Sequence, residues 1–102
     1  MATPPRARTG RRVAERDARR LVRDKERLAT LERGGSPERP IEVPSAAVID
    51  VRARATPCVQ CAGEYDVKEH RTQAGLRAVS VVCRQCHTRR ELWFRIAVVA
   101  PN

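Results

Sequence analysis

The chain has 102 residues, with 21 Lys and Arg against 12 Asp and Glu, a formal charge of +9 at neutral pH. That length holds one small domain, and one Tyr, one Trp and one Phe leave little apolar material for a core that stands without a metal or disulfide staple. No apolar run approaches the ~20 residues that span a bilayer, and no apolar segment follows the first positive charges, so neither a membrane span nor a secretory leader is expected and the expected location is cytoplasmic.

Residues 1–9 are short, Pro-rich and basic and read as a disordered tail. Residues 10–34 read as a basic amphipathic helix. They contain no Pro, and Ala14, Ala18, Leu21, Leu28 and Leu31 recur at helical spacing, with Val22 and Ala29 widening the stripe. Thr9 suits the N-cap, and Gly34 with Gly35 suits the stop. Residues 1–35 carry 11 Lys and Arg and five acids, a net charge of +6. Arg11, Arg12, Arg16, Arg19, Arg20 and Arg23 are candidates for phosphate contact. The competing reading is a solvated helix whose charges only keep it soluble. No aromatic is interleaved with these arginines, so base stacking by this segment is not expected.

Residues 35–46 form a Pro-rich connector; three prolines between 36 and 46 exclude a regular helix. Residues 47–55, AVIDVRARA, partly alternate and suit a strand. After Gly63 the text alternates again, with Tyr65 and Val67 on one side and Asp66, Lys68 and His70 on the other. Gln73-Ala74-Gly75 is a turn, LRAVSVVC is β-rich, and ELWFRIAVV at 91–99 is β-rich. In that last strand Leu92, Phe94, Ile96 and Val98 share one face, and Trp93, Ala97 and Val99 share the other. With both faces apolar apart from Arg95, something is expected to cover the second one: the stripe at Leu21, Leu28 and Leu31, or a partner chain.

All four cysteines lie in two C-x-x-C pairs, Cys58/Cys61 and Cys83/Cys86, separated by 21 residues. In a reducing compartment two disulfides are not expected. Two intervening residues let both thiolates of a tight turn face one ion, and two such turns supply four sulfurs in a tetrahedron. Zinc is the expected metal and its role structural, because a four-cysteine site leaves no position for water or substrate. Iron also suits four sulfurs and is second. The run Cys-Arg-Gln-Cys-His at 83–87 matches haem c attachment, but that chemistry follows export and would leave Cys58 and Cys61 without a role. A thioredoxin-like role fails because neither pair opens a helix. No nucleophile–base set, paired-carboxylate cleft or Gly-rich phosphate loop is present, so no enzyme activity and no small-molecule substrate are expected.

The order of knuckle, hairpin, knuckle and closing strand resembles the zinc ribbons over residues 56–99. The arrangement is also similar to small bacterial zinc-ribbon proteins that carry a charged N-terminal helix. The resemblance implies an α+β fold, a helix followed by a three- to four-stranded antiparallel ribbon over residues 47–102. Its Cys58, Cys61, Cys83 and Cys86 would hold zinc. One departure concerns the residue after each second cysteine, where ribbons favour Gly and this chain has Ala62 and His87. Ribbons occur in transcription and translation machinery, which raises the expectation of a nucleic-acid or ribonucleoprotein partner. Arg84, Arg89 and Arg90 around the second knuckle would then join the helix arginines. The alternative is a protein-interaction module using the helix stripe or the Trp93 face.

Overall fold

A computed structural model describes residues 4–97, with side chains from residue 10 onward. The chain runs helix α1 (Pro4–Ala29), strand β1 (Ile41–Val43), a 3-10 turn (Ala46–Val48), helix α2 (Ile49–Ala55), and strands β2 (Tyr65–Gln73), β3 (Leu76–Cys83) and β4 (Arg89–Ile96). The strands form one sheet in the order β1-β4-β3-β2. β2, β3 and β4 are antiparallel neighbours, whereas β1 lies parallel to β4, so the sheet is mixed.

α1 starts earlier and ends sooner than the sequence suggests. Its backbone is helical from Pro4 and passes through Gly10; prolines in the first turn remove N–H groups that have no helical partner anyway. The tail expected at 1–9 is therefore helical from residue 4, and residues 1–3 lie outside the described residues. The helix stops at Ala29, where the Thr30 hydroxyl donates to the Arg27 carbonyl at 2.7 Å. Gly35 then passes so close that a Cβ there would sit 1.8 Å from the Ala29 carbonyl oxygen. The Trp93 N–H donates to the Gly34 carbonyl at 2.9 Å, which ties this turn to β4.

Two further expectations are corrected. The connector holds β1, three residues between Pro40 and Pro44, with Ile41 and Val43 buried and Glu42 exposed. Proline at each end is tolerable on an edge strand. Residues 47–55 are not a strand but the end of the 3-10 turn and α2. Ile49 and Ala53, four residues apart, are both fully buried against the sheet, and helical spacing serves that face better than alternation. Asp50 in its first turn and Arg52 and Arg54 in its last complement the helix dipole.

The core lies between α2 and one sheet face: Ile41, Val43, Ile49, Ala53, Tyr65, Val79, Val81, Leu92 and Phe94, with Cys58 and Cys83 at one end. The β2–β3 register slips at Lys68, a bulge between Val67 and Glu69. The slip puts His70 on the face of Tyr65 and Val67 rather than opposite them. There His70 Nε2 meets Asp50 Oδ1 of α2 at 2.6 Å. The hairpin closes through Ala74 and Gly75 at φ 51° and 80°, the left-handed pair of a two-residue turn.

The helix stripe does not cover the sheet. Leu21, Leu28 and Leu31 are 55%, 59% and 55% exposed, while Trp93 is 7% exposed. Val98 of the first face and Val99 of the second lie outside the described residues. α1 projects from the ribbon, and the molecule measures 79 Å along its long axis against 23 and 21 Å across.

Candidate metal centre

The knuckles are built alike. In the first, the Ala62 N–H donates to the Cys58 carbonyl at 2.8 Å and the Cys58 N–H to the Gly63 carbonyl at 2.9 Å. In the second, the His87 N–H reaches the Cys83 carbonyl and the Cys83 N–H the Thr88 carbonyl, both at 3.0 Å. Each closes with one left-handed residue, Ala62 at φ 62° and His87 at φ 63°. These are the two places where ribbons favour Gly, so the conformation is kept without it, at the cost of a Cβ in the left-handed region. The closed turns aim backbone N–H groups at sulfur: Gln60 to Cys58 Sγ and Gly63 to Cys61 Sγ at 3.4 Å, and Gln85 to Cys83 Sγ at 3.3 Å. Such donors favour thiolate over thiol.

The four Sγ atoms converge. All lie within 4.8 Å of one another. Cys61 and Cys83 approach to 3.4 Å, and Cys58 and Cys86 to 3.6 Å. A disulfide needs about 2.05 Å, whereas sulfurs ~2.3 Å from a central ion in a tetrahedron stand about 3.8 Å apart. The cluster fits a metal ion held by four cysteines. Gly63 permits the approach of the two knuckles, since a Cβ there would meet Cys83 Sγ at 3.0 Å and Gln85 Oε1 at 2.9 Å.

The thiols are electrostatically unequal. The hydroxyl and then the N–H of Thr88 pull Cys86 down to about 6, helped by the Cys61 and Cys58 sulfurs and opposed by burial. At Cys61 the Gly63 N–H pulls down, but Cys83, burial, Cys86 and Cys58 together push it up to about 12. Cys83 is lowered, first by the Cys86 N–H. Backbone and hydroxyl donors thus favour thiolate at Cys86 and Cys83, while the neighbouring sulfurs favour the protonated form at Cys61.

The nine arginines singled out from sequence divide in three. Arg11, Arg12, Arg16, Arg19, Arg20 and Arg23 are exposed on α1, and none pairs with a described residue. At 100° per residue, Arg12, Arg16, Arg19, Arg20 and Arg23 fall with Arg27 inside about 100° of arc, free of acids and about 22 Å long. Arg11 falls outside it, near the apolar stripe. Arg27, exposed and in the last turn, was missed by sequence reasoning, although its i+4 spacing from Arg23 was available. At the second knuckle Arg89 is exposed. Arg84 is exposed but paired with Asp66 at 2.6 Å, an interaction that lowers the Asp66 carboxyl. Arg90 is placed differently from the surface role expected of it. Its side chain is 9% exposed and donates to Tyr65 Oη at 3.2 Å and Glu26 Oε1 at 2.6 Å, so it is a structural arginine.

No described helix is long and apolar enough to cross a membrane. No family model, curated protein or solved structure matches the chain.

Proposed function

We propose that the chain is a non-enzymatic zinc-ribbon module that binds nucleic acid, free or within a ribonucleoprotein or transcription complex. The observation that carries this reading is the acid-free arginine face of α1. Opposed to it on the same helix is the apolar stripe, so the charges are sorted rather than scattered. A solvated helix needs no such sorting, whereas a polyanion rewards it, because each arginine then neutralises a phosphate and releases a counterion. Arg89, exposed at the second knuckle, would add a further basic side chain. The metal site supports the fold: zinc on Cys58, Cys61, Cys83 and Cys86 would close four positions and leave no Lewis-acid chemistry. The test is anisotropy titration of labelled RNA and DNA with the full zinc-loaded chain and with an Arg12/Arg16/Arg19/Arg23→Ala variant. Binding that is lost in the variant supports the reading, and no binding by the unmodified chain at low salt ends it.

A second reading rests on Leu21 and Leu28, more than half exposed on the opposite face. An apolar stripe of this kind suits a protein partner, and it predicts capture that survives salt and is lost on Leu28→Asp.

A further inference from the structure

We infer that a filled metal site is what holds α1 against the ribbon, so that metal occupancy governs how the arginine face is presented. The inference rests on the cysteine cluster holding a metal, and it stands whether or not the partner is nucleic acid.

The argument turns on Gln60, one of the two residues between Cys58 and Cys61. Its side-chain amide donates to the Val22 carbonyl at 3.1 Å and to Glu26 Oε1 at 2.8 Å. Its own carbonyl accepts from Lys25 Nζ at 3.1 Å. Its N–H points back at Cys58 Sγ at 3.4 Å. One residue of the metal loop thus faces sulfur with its N–H and grips the helix with everything else. Val22, Lys25 and Glu26 are spaced i, i+3 and i+4, so a single helix face meets it.

The second tie runs through the same loop. Glu26 also accepts Arg90 Nη2 at 2.6 Å, and Arg90 Nε reaches Tyr65 Oη at 3.2 Å. Tyr65 Oη accepts the Val59 N–H at 3.4 Å, and Val59 is the other residue between Cys58 and Cys61. Among the described residues, the hydrogen bonds from α1 to the rest of the fold end on Gln60 or Arg90. Apolar docking is confined to the last turn, where Ala29 is 3% exposed, while residues 10–24 are exposed throughout.

In small metal domains the binding free energy of the ion is folding free energy. A metal-free C-x-x-C loop loses the restraint that keeps Gln60 and Val59 in place, and the helix loses its holds together. Linkage makes the effect reciprocal: if metal favours docking, docking favours metal by the same factor.

The experiment uses the full chain with zinc as the probe. Zinc affinity is measured by competition with a chromophoric chelator, and amide exchange is followed over residues 22–29. Chelation should speed exchange there by about tenfold or more, and Gln60→Ala should still bind one zinc but about tenfold more weakly. Glu26→Ala, on the helix and outside the cysteine cluster, should weaken zinc in the same direction, and it serves as the reading if Gln60→Ala fails to fold. Unchanged exchange on chelation, or zinc affinity within twofold in Glu26→Ala, overturns the inference while leaving the metal site intact. Absence of zinc binding by the unmodified chain overturns both.

Discussion

The Arg90 guanidinium and the Glu26 carboxylate meet at 2.6 Å although 64 positions separate them in the chain. The pair joins the end of α1 to β4, and its members are unequal: the Arg90 side chain is 9% exposed and Glu26 is 40% exposed. Burial works against the charge on Arg90, and Glu26 and Tyr65 offset it, leaving the guanidinium more strongly protonated. Arg90→Met should therefore destabilise the metal-loaded chain by about 1–3 kcal/mol, because Tyr65 and Glu26 each lose a charged donor and keep only the neutral ones from Val59 and Gln60. Arg84→Ala, whose arginine is 57% exposed, should cost less than about 1 kcal/mol. Urea melts of the two variants check the contrast; equal midpoints would mean that Arg90 is not the anchor its geometry suggests.

Much of the site was legible in the sequence, because C-x-x-C spacing is a local property of a turn. The arginine assignments were less so. Arg89 and Arg90 are adjacent and chemically identical, and only strand register separates an exposed residue from one committed to Tyr65 and Glu26. Register also hid His70, since a bulge at Lys68 inverts every later side chain of β2. The segment 47–55 carries β-branched residues at Val48, Ile49 and Val51. Their local preference favours a strand, and the demand to bury Ile49 and Ala53 on one face overrides it. β1 was illegible for a simpler reason: three residues between prolines carry no period.

The hairpin turn invites a stabilising change. Ala74 has φ 51° and Gly75 φ 80°. Both positions of this turn need the left-handed region, where Asn is tolerated far better than Ala. Ala74→Asn should raise stability by about 0.5–1 kcal/mol. A thermal melt that fails to move upward would show that the turn is not strained.

Acid should strip the metal in a defined way. A thiol must lose its proton to bind the ion, so affinity falls as protons become harder to displace. Above pH 6 the Cys86 thiol, lowered to about 6, is already thiolate and releases nothing. Cys61, raised to about 12, releases a proton throughout the accessible range. As pH falls through about 6, Cys86 joins the protons to be displaced. A plot of log affinity against pH should then steepen by about one unit per pH unit. Competition titrations between pH 5 and 8 check this, and a constant slope would place the Cys86 titration elsewhere.

The arginine face yields the prediction that bears most on function. If Arg12, Arg16, Arg19, Arg20, Arg23 and Arg27 each neutralise one phosphate, log affinity should fall with log salt at a slope near −5 on a duplex, about −0.9 per contact. Replacing Arg12, Arg16, Arg19 and Arg23 by Ala should flatten that slope by about three to four units. Replacing Arg11, which lies off the face, should change it by less than one unit on the same scale. The four positions are exposed and unpaired with described residues, so the melt of the zinc-loaded chain should stay within about 0.5 kcal/mol of the parent. Sequence preference should be weak, because contacts to phosphate position a protein without reading bases. A slope that Arg11→Ala flattens as much per residue as the four-fold change would mean that net charge alone drives binding. The sorting of arginines onto one face would then have no part in recognition.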